Sequence, residues 1–237
     1  CHTLHTTSHS NPLHTIPAIT SQQALSRLTI LPKNCHWHSF CRDICCINQS
    51  TRILFTFHIY TAMINNNIED AINTQINKEL WSAYLYLAMA MNFEYAGLPG
   101  IANWFRVQTK EEQAHAEIFI NYLNSRGGRV RLQPIEAVPD SWDTPLAAFE
   151  HTLKHEQTVT SLINNLYALA EAEHDYATRG KLDWFVSEQV EEENNARQLV
   201  DRLRLIGNDG MALYALDQEL AARVYVVPAP LAAASNN

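Results

Sequence analysis
Cysteine is missing from the larger part of this 237-residue chain: Cys1, Cys35, Cys41, Cys45 and Cys46 all precede Met63. Residues 63–237 therefore need no disulfide, offer no thiolate for zinc or an iron–sulfur cluster, and read as a cytosolic protein. Glycine and proline are scarce, 7 and 9 in the whole chain, which excludes collagen-like and linker-dominated architectures. No apolar run reaches the roughly 20 residues that span a bilayer. The stretch ILFTFHIYTAMI, 53–64, is too short and carries His58. Positive charge is also short: 17 Lys and Arg stand against 25 Asp and Glu, a net of −8. Residues 1–62 hold Arg27, Lys33, Arg42 and Arg52 against Asp43 alone, which leaves 13 basic and 24 acidic residues after them, a net of −11. Such a body lacks the basic face that nucleic acid requires. It suits a cation as substrate.

The first 62 residues differ from the rest. They contain no glycine, are rich in His, Thr, Ser and Cys, and show no sustained helical or strand period. They lack the charged start, apolar middle and small-residue cleavage site of a secretory signal. Cys35, His36, His38, Cys41, Cys45 and Cys46 crowd together, but without the paired spacing of a structural zinc site. The expectation is an N-terminal extension, 1–62, disordered or loosely attached, with the working domain over 63–237.

From Met63 on, the apolar pattern is helical almost throughout. One helix is expected over about 67–96, stopped by Gly97, Pro99 and Gly100, and a second over 101–126, stopped by Gly127 and Gly128. A third opens at DTPL, with Asp143 or Thr144 as cap and Pro145 in the first turn, and ends near Glu173. A fourth covers 176–206 up to Gly207, and a short fifth follows over about 211–223. Short turns make the first pair antiparallel, and likewise the second pair. The connection between the pairs, GGRVRLQPIEAVPDSWDT, has 18 residues. Extended, it reaches roughly 60 Å, against roughly 39 Å for the second helix. It can therefore run the length of the molecule. The pattern predicts an all-α four-helix bundle with one long crossover and a short C-terminal fifth helix.

Spacings of three and four trace an apolar seam along each helix. The first reads Ile72, Ile76, Glu79, Ala83, Tyr86, Ala90; the second Phe105, Gln108, Glu112, His115, Phe119, Tyr122. The third reads Phe149, Leu153, Glu156, Thr160, Ile163, Tyr167; the fourth Leu182, Phe185, Gln189, Glu192, Ala196, Leu199, Leu203. A carboxylate interrupts every seam near mid-helix, so four can meet at one level. Buried and ionised, each costs several kcal/mol unless paired, and no basic residue occupies a seam position. Raised pKa values or bound cations resolve the conflict. Carboxylate oxygens with one imidazole suit divalent first-row metals, iron and manganese among them. Adjacent glutamates such as Glu111 and Glu191 fit a solvated face equally well.

The stretches NKELWSAYLY (77–86), KEEQAHAEIF (110–119), KHEQ (154–157) and WFVSEQVEEE (184–193) together resemble the prokaryotic non-haem ferritins, over residues 63–223. The resemblance implies a di-iron ferroxidase centre. Glu79, Glu112 and His115 would hold the first iron; Glu112 would bridge to a second, completed by Glu156 and Glu192, with Gln189 at its edge. Glu111, Glu188 and Glu191 are similar to the family's third iron site. Tyr86 would lie beside the centre as a hydrogen-bond or electron donor, whereas Trp184 reads as core packing. The fourth helix carries Gln189-x-x-Glu192 where bacterioferritins have Glu-x-x-His, and position 113 is Gln rather than Met, so no haem is expected. The implied function is Fe(II) oxidation by O2 or H2O2 and storage of the ferric mineral in a cytoplasmic cage of 24 copies. A rubrerythrin-like peroxidase or other di-metal carboxylate oxidoreductase is the alternative, weakened by the lack of paired Cys-x-x-Cys. An inert structural bundle is another.

Overall fold
A computed structural model describes residues 64–233. The expected extension, its boundary at Met63 and the Cys/His cluster lie outside the described residues. Four long helices run Asn66–Tyr95 (α1), Pro99–Ser125 (α2), Pro145–Ala172 (α3) and Tyr176–Ile206 (α4), followed by Gly210–Leu220 (α5) and a single turn, Ala229–Ala232 (α6). No strand occurs among the described residues.

Local chemistry sets the helix ends. The Asn65 side chain accepts the Asn67 amide at 2.8 Å to start α1, and Thr144 accepts from Ala147 at 3.1 Å to start α3. Asp175 and Asp209 cap α4 and α5 in the same way. At the end of α1, Gly97 adopts φ +77° and Leu98 N–H closes onto Phe93 O at 3.0 Å, a left-handed stop that favours glycine. Gly100 was expected as a breaker but lies inside α2. Pro99 sits in the first turn, where its missing N–H is no loss. Gly100 answers a packing need instead: a Cβ there would lie 1.6 Å from Asp217 O on α5.

The 18-residue connection runs lengthwise along α1, held by three asparagines. Asn73 donates to Arg129 O at 3.0 Å and accepts from Arg131 N at 2.6 Å. Asn77 reaches Pro134 O at 3.2 Å, and Asn92 exchanges two 3.2 Å bonds with the Trp142 backbone. Positions 73 to 92 of a helix cover roughly 28 Å, so α3 begins at the far end of the bundle from the close of α2.

Two apolar cores fill the bundle. One holds Met89, Phe93, Phe105, Phe149 and Leu203, the other Ile68, Ile72, Phe119, Ile163 and Phe185. The glutamate layer lies between them. The inner stripes of α1, α2 and α4 run as expected, apart from Tyr122, which is half-buried at the α2 end. On α3 Phe149, Glu156 and Ile163 are buried as expected, but Leu153, Thr160 and Tyr167 are only half-buried, and Thr152, Val159 and Leu166 are buried in their stead. A threonine can take the inner position because its hydroxyl bonds Ala148 O at 3.0 Å, which removes the cost of burying it. The expected end of the fifth helix at 223 is also revised: α5 stops at Leu220, and Arg223 lies beyond it.

A clasp ties the end of α2 to the start of α4. Arg126 donates to both Asp175 oxygens at 3.0 Å, and Asp175 also accepts from Thr178 N at 3.0 Å. Burial pushes the Asp175 carboxyl up, but the bonds from Arg126 and Thr178 outweigh it and leave the pKa below the ordinary aspartate value. The stabilisation is thus present above the unfolded pKa and lost as pH falls through the folded one. Asp175→Ala is expected to lower the unfolding free energy by about 2 kcal/mol at pH 7, from the lost cap and charged hydrogen bonds. Urea unfolding followed by circular dichroism should show that difference shrinking below about pH 3; an equal difference at both pH values would refute the assignment.

Candidate metal centre
Each helix of the bundle delivers a polar side chain to one level. α1 supplies Glu79, α2 Glu112 and His115, α3 Glu156, and α4 Gln189 and Glu192, all between 1 and 5 % exposed. The seams bring these six together because every long helix keeps a near-heptad inner stripe and the crossover sets α3 in register.

Glu79, Glu112 and His115 form the tightest group. Each offers one ligand atom within 4.8 Å of the others, and among the described residues no other trio of His, Cys, Asp or Glu does so. His115 Nδ1 lies 3.5 Å from Glu112 Oε2. Glu79 Oε2, Glu112 Oε2 and His115 Nε2 are buried without a hydrogen-bond partner. Buried polar atoms are normally partnered, and these three side chains are placed to hold a cation together.

The other atoms of the layer are held by neighbours. Gln75 Nε2 donates to Glu79 Oε1 at 2.9 Å. Gln108 Nε2 donates to Glu192 Oε2 at 2.7 Å. Tyr86 donates its hydroxyl proton to Glu156 Oε1, and Gln189 Nε2 donates to Glu156 Oε2 at 3.2 Å. Gln189 thus turns its amide nitrogen to Glu156 and supports that carboxylate. Gln75 and Gln108 were not singled out from the sequence for a role, although each sits four residues before a site glutamate on the same face.

The electrostatics follow from burial. Burial raises the Glu79 carboxyl to about 7, against the lowering effect of its bonds to Gln75 and Glu112. Burial and the neighbouring carboxylates push Glu112 and Glu192 well above the ordinary range. Burial raises Glu156 despite its bonds to Tyr86 and Gln189. Burial lowers His115 to about 4, so its imidazole is neutral at pH 7 and free to ligate. Burial and the Glu156 charge raise the Tyr86 hydroxyl, which keeps its proton. The site therefore holds protons where a bound cation would replace them.

Glu111, Glu188 and Glu191 are not drawn into a comparable group. Glu188 is partly exposed and approaches His115 Nε2 at 3.9 Å; burial and the charges of Glu191 and Glu111 raise its carboxyl to about 7. Glu191 is exposed. Glu111 is bound to Arg223 at 2.7 Å. No sequence signal marked Arg223, which is remote in the chain and was expected inside the fifth helix. Trp184 packs its ring edge-on to His115 at 5.6 Å, so it is core that also touches the site.

The comparisons agree with this geometry. The ferritin family, described as "Ferritin-like domain", matches residues 69–206. The bacterial non-heme ferritin of Bacteroides fragilis is 42 % identical over 161 residues, 68 % of this chain and 100 % of the relative. That of Staphylococcus aureus is 37 % identical over 163 residues, 69 % of this chain and 98 % of the relative. Among solved structures, the open pore ferritin of the archaeon Archaeoglobus fulgidus superposes with a TM-score of 0.68 at 50 % identity, covering 68 % of this chain and 99 % of that one. A bundle with a glutamate layer, matched over nearly the whole length of these relatives, makes this chain a member of the ferritin family.

Proposed function
We propose that this protein is an iron-storage ferritin that oxidises Fe(II) at a di-iron centre and holds the ferric product in a cage of its own copies. The observation that carries the reading is the buried trio Glu79, Glu112 and His115, whose side chains offer ligand atoms within 4.8 Å of one another and each keep one buried atom without a hydrogen-bond partner, with two further buried glutamates at the same level. Fe(II) is the substrate. Glu79, Glu112 and His115 would take one ion, and Glu112, Glu156 and Glu192 the other, with Gln189 and Tyr86 orienting Glu156. Two Fe(II) held side by side supply together the two electrons that reduce O2 to peroxide or H2O2 to water. Four carboxylates favour the harder Fe(III), which lowers the barrier to oxidation. Protons held by the raised carboxyls leave as the cations bind. Glu188, beside His115 and half-exposed, with Glu111 and Glu191 near it in charge, is suited to receive an ion leaving the centre.

The cage reading rests on surface chemistry. Tyr84, Leu87 and Met91 on α1, with Leu132 and Ile135 on the crossover, are exposed apolar side chains on neighbouring segments of one face, as a contact between copies requires. The chain is read as haem-free, with an exposed Gln113 in the Glu112–His115 turn. Nucleic acid and membrane are not proposed partners; no described helix is long and apolar enough to cross a bilayer. The cytoplasm is the proposed location.

Glu112→Ala is expected to slow initial aerobic Fe(II) oxidation by more than about 100-fold, since loss of even an outer-shell partner costs 10–100-fold. Stopped-flow absorbance measures this, and a rate near that of the unchanged protein removes Glu112 from the centre. Glu188→Ala should retain Fe(II) binding but alter the O2 consumed per iron, read with an oxygen electrode; an unchanged ratio removes Glu188 from the path. A third expectation concerns pH. Above about 7.5, His115 and His155, both lowered to about 4 by burial, are neutral whether folded or unfolded, so the carboxylates decide. Their raised values mean that the folded metal-free protein binds protons which the unfolded chain has released. Stability then falls as pH rises. The melting temperature of metal-free protein should drop between about pH 7.5 and 8.5, and Co(II) should abolish the drop while releasing protons. A flat profile without metal would contradict the buried-acid account.

A further inference from the structure
Arg223 enters the centre from outside the bundle. It follows α5, and the segment carrying it is fixed to α2 by Asn103, whose amide donates to Leu220 O at 3.1 Å, Ala221 O at 3.3 Å and Arg223 O at 2.9 Å. Asp217 secures the same junction by accepting Ile101 N at 2.8 Å. The guanidinium lies 4.7 Å over the Trp104 ring and donates to Trp104 O at 3.2 Å. It also donates to Gln108 Oε1 at 2.8 Å and to Glu111 Oε2 at 2.7 Å. Gln108 in turn donates Nε2 to Glu192 Oε2 at 2.7 Å.

An amide has one oxygen and one nitrogen end. With Arg223 donating to the oxygen end, only the nitrogen end can face Glu192. Without it, Gln108 can flip and present its oxygen to a carboxylate, an arrangement that repels. We propose that Arg223 is a positioning residue for the second metal position, acting through Gln108 to fix Glu192. The inference rests on the di-iron reading above. It assigns the residues after α5 a part in the centre that none of the helix seams contains.

A purely structural Arg223 would only fasten the C-terminal segment to Trp104. A purely electrostatic one would repel cations, so that its removal, leaving Glu111 unpaired, would tighten metal binding. The relay predicts the opposite sign, and at one position only. The test is anaerobic Co(II) titration of the metal-free full chain, followed by d–d absorption and calorimetry. The unchanged protein is expected to show two binding steps per subunit. Arg223→Met should weaken the second step about tenfold, the lower end of outer-shell effects, and leave the first, at Glu79, Glu112 and His115, within about twofold. Gln108→Leu should weaken the same step, and the double variant should be no worse than Gln108→Leu alone, because one relay is being cut twice. A second step unchanged or tighter in Arg223→Met, an additive double variant, or equal weakening of both steps overturns the relay. Absence of paired Co(II) sites in the unchanged protein would instead overturn the di-iron reading itself.

Discussion
Four glutamates and an imidazole buried between two apolar cores impose the constraint on which this structure depends. A carboxylate taken from water without a partner costs several kcal/mol, comparable with the whole net stability of a domain. The chain meets that cost in part with four local donors, Gln75, Gln108, Gln189 and Tyr86. The rest is met by retained protons, as the raised carboxyl values record. Glu79 Oε2, Glu112 Oε2 and His115 Nε2 are left without a hydrogen-bond partner. The level at which they gather depends on everything else in the fold. A connection shorter than the length of α2, or one not clamped by Asn73, Asn77 and Asn92, would not carry α3 to the far end and bring Glu156 level with Glu79.

How this protein treats its other acids sharpens the point. Asp175 receives Arg126 and the first turn of α4. The buried Asp217 receives a backbone amide at the start of α2. Glu111 receives Arg223. In each case the fold supplies a fixed donor within hydrogen-bond reach. Among the described residues, only in the central layer do buried carboxylate oxygens face one another and a neutral imidazole. Such selective neglect is hard to reconcile with a purely architectural bundle, which gains stability from apolar residues at the same positions. Glu79, Glu112 and His115, so placed, form a group that could hold a metal ion.

Much of this was legible in the sequence because it is local. Helix periods, the cap of α3 just before Pro145, the stop at Gly97 and the length of the crossover are all written within a few residues of where they act. The glutamate layer was legible for a related reason: each acid breaks an apolar stripe on its own helix, and equal depth in four helices needs no knowledge of contacts. The errors share a cause as well. Gly100 looked like a breaker because the backbone of α5, more than a hundred residues later, is what demands it. On α3 the expected positions 153, 160 and 167 gave way to Thr152, Val159 and Leu166, one residue earlier, with the Thr152 hydroxyl bonded to its own helix.

Arg223 is the extreme case of non-local information. Its partner Gln108 is 115 residues away, and no period connects a residue beyond the last long helix to a seam near the start of the second. The resemblance to known ferritins could suggest that Glu111 joins Glu188 and Glu191, but it could not show that an arginine occupies Glu111 first. The same guanidinium holds Glu111 and, through the Gln108 amide, faces Glu192. On the proposed reading, an ion that recruited Glu111 would have to loosen Arg223, and with it the contact that sets Gln108 against Glu192. The proposal thus couples the outer position to the inner one through a single side chain, by contacts that no helix makes alone.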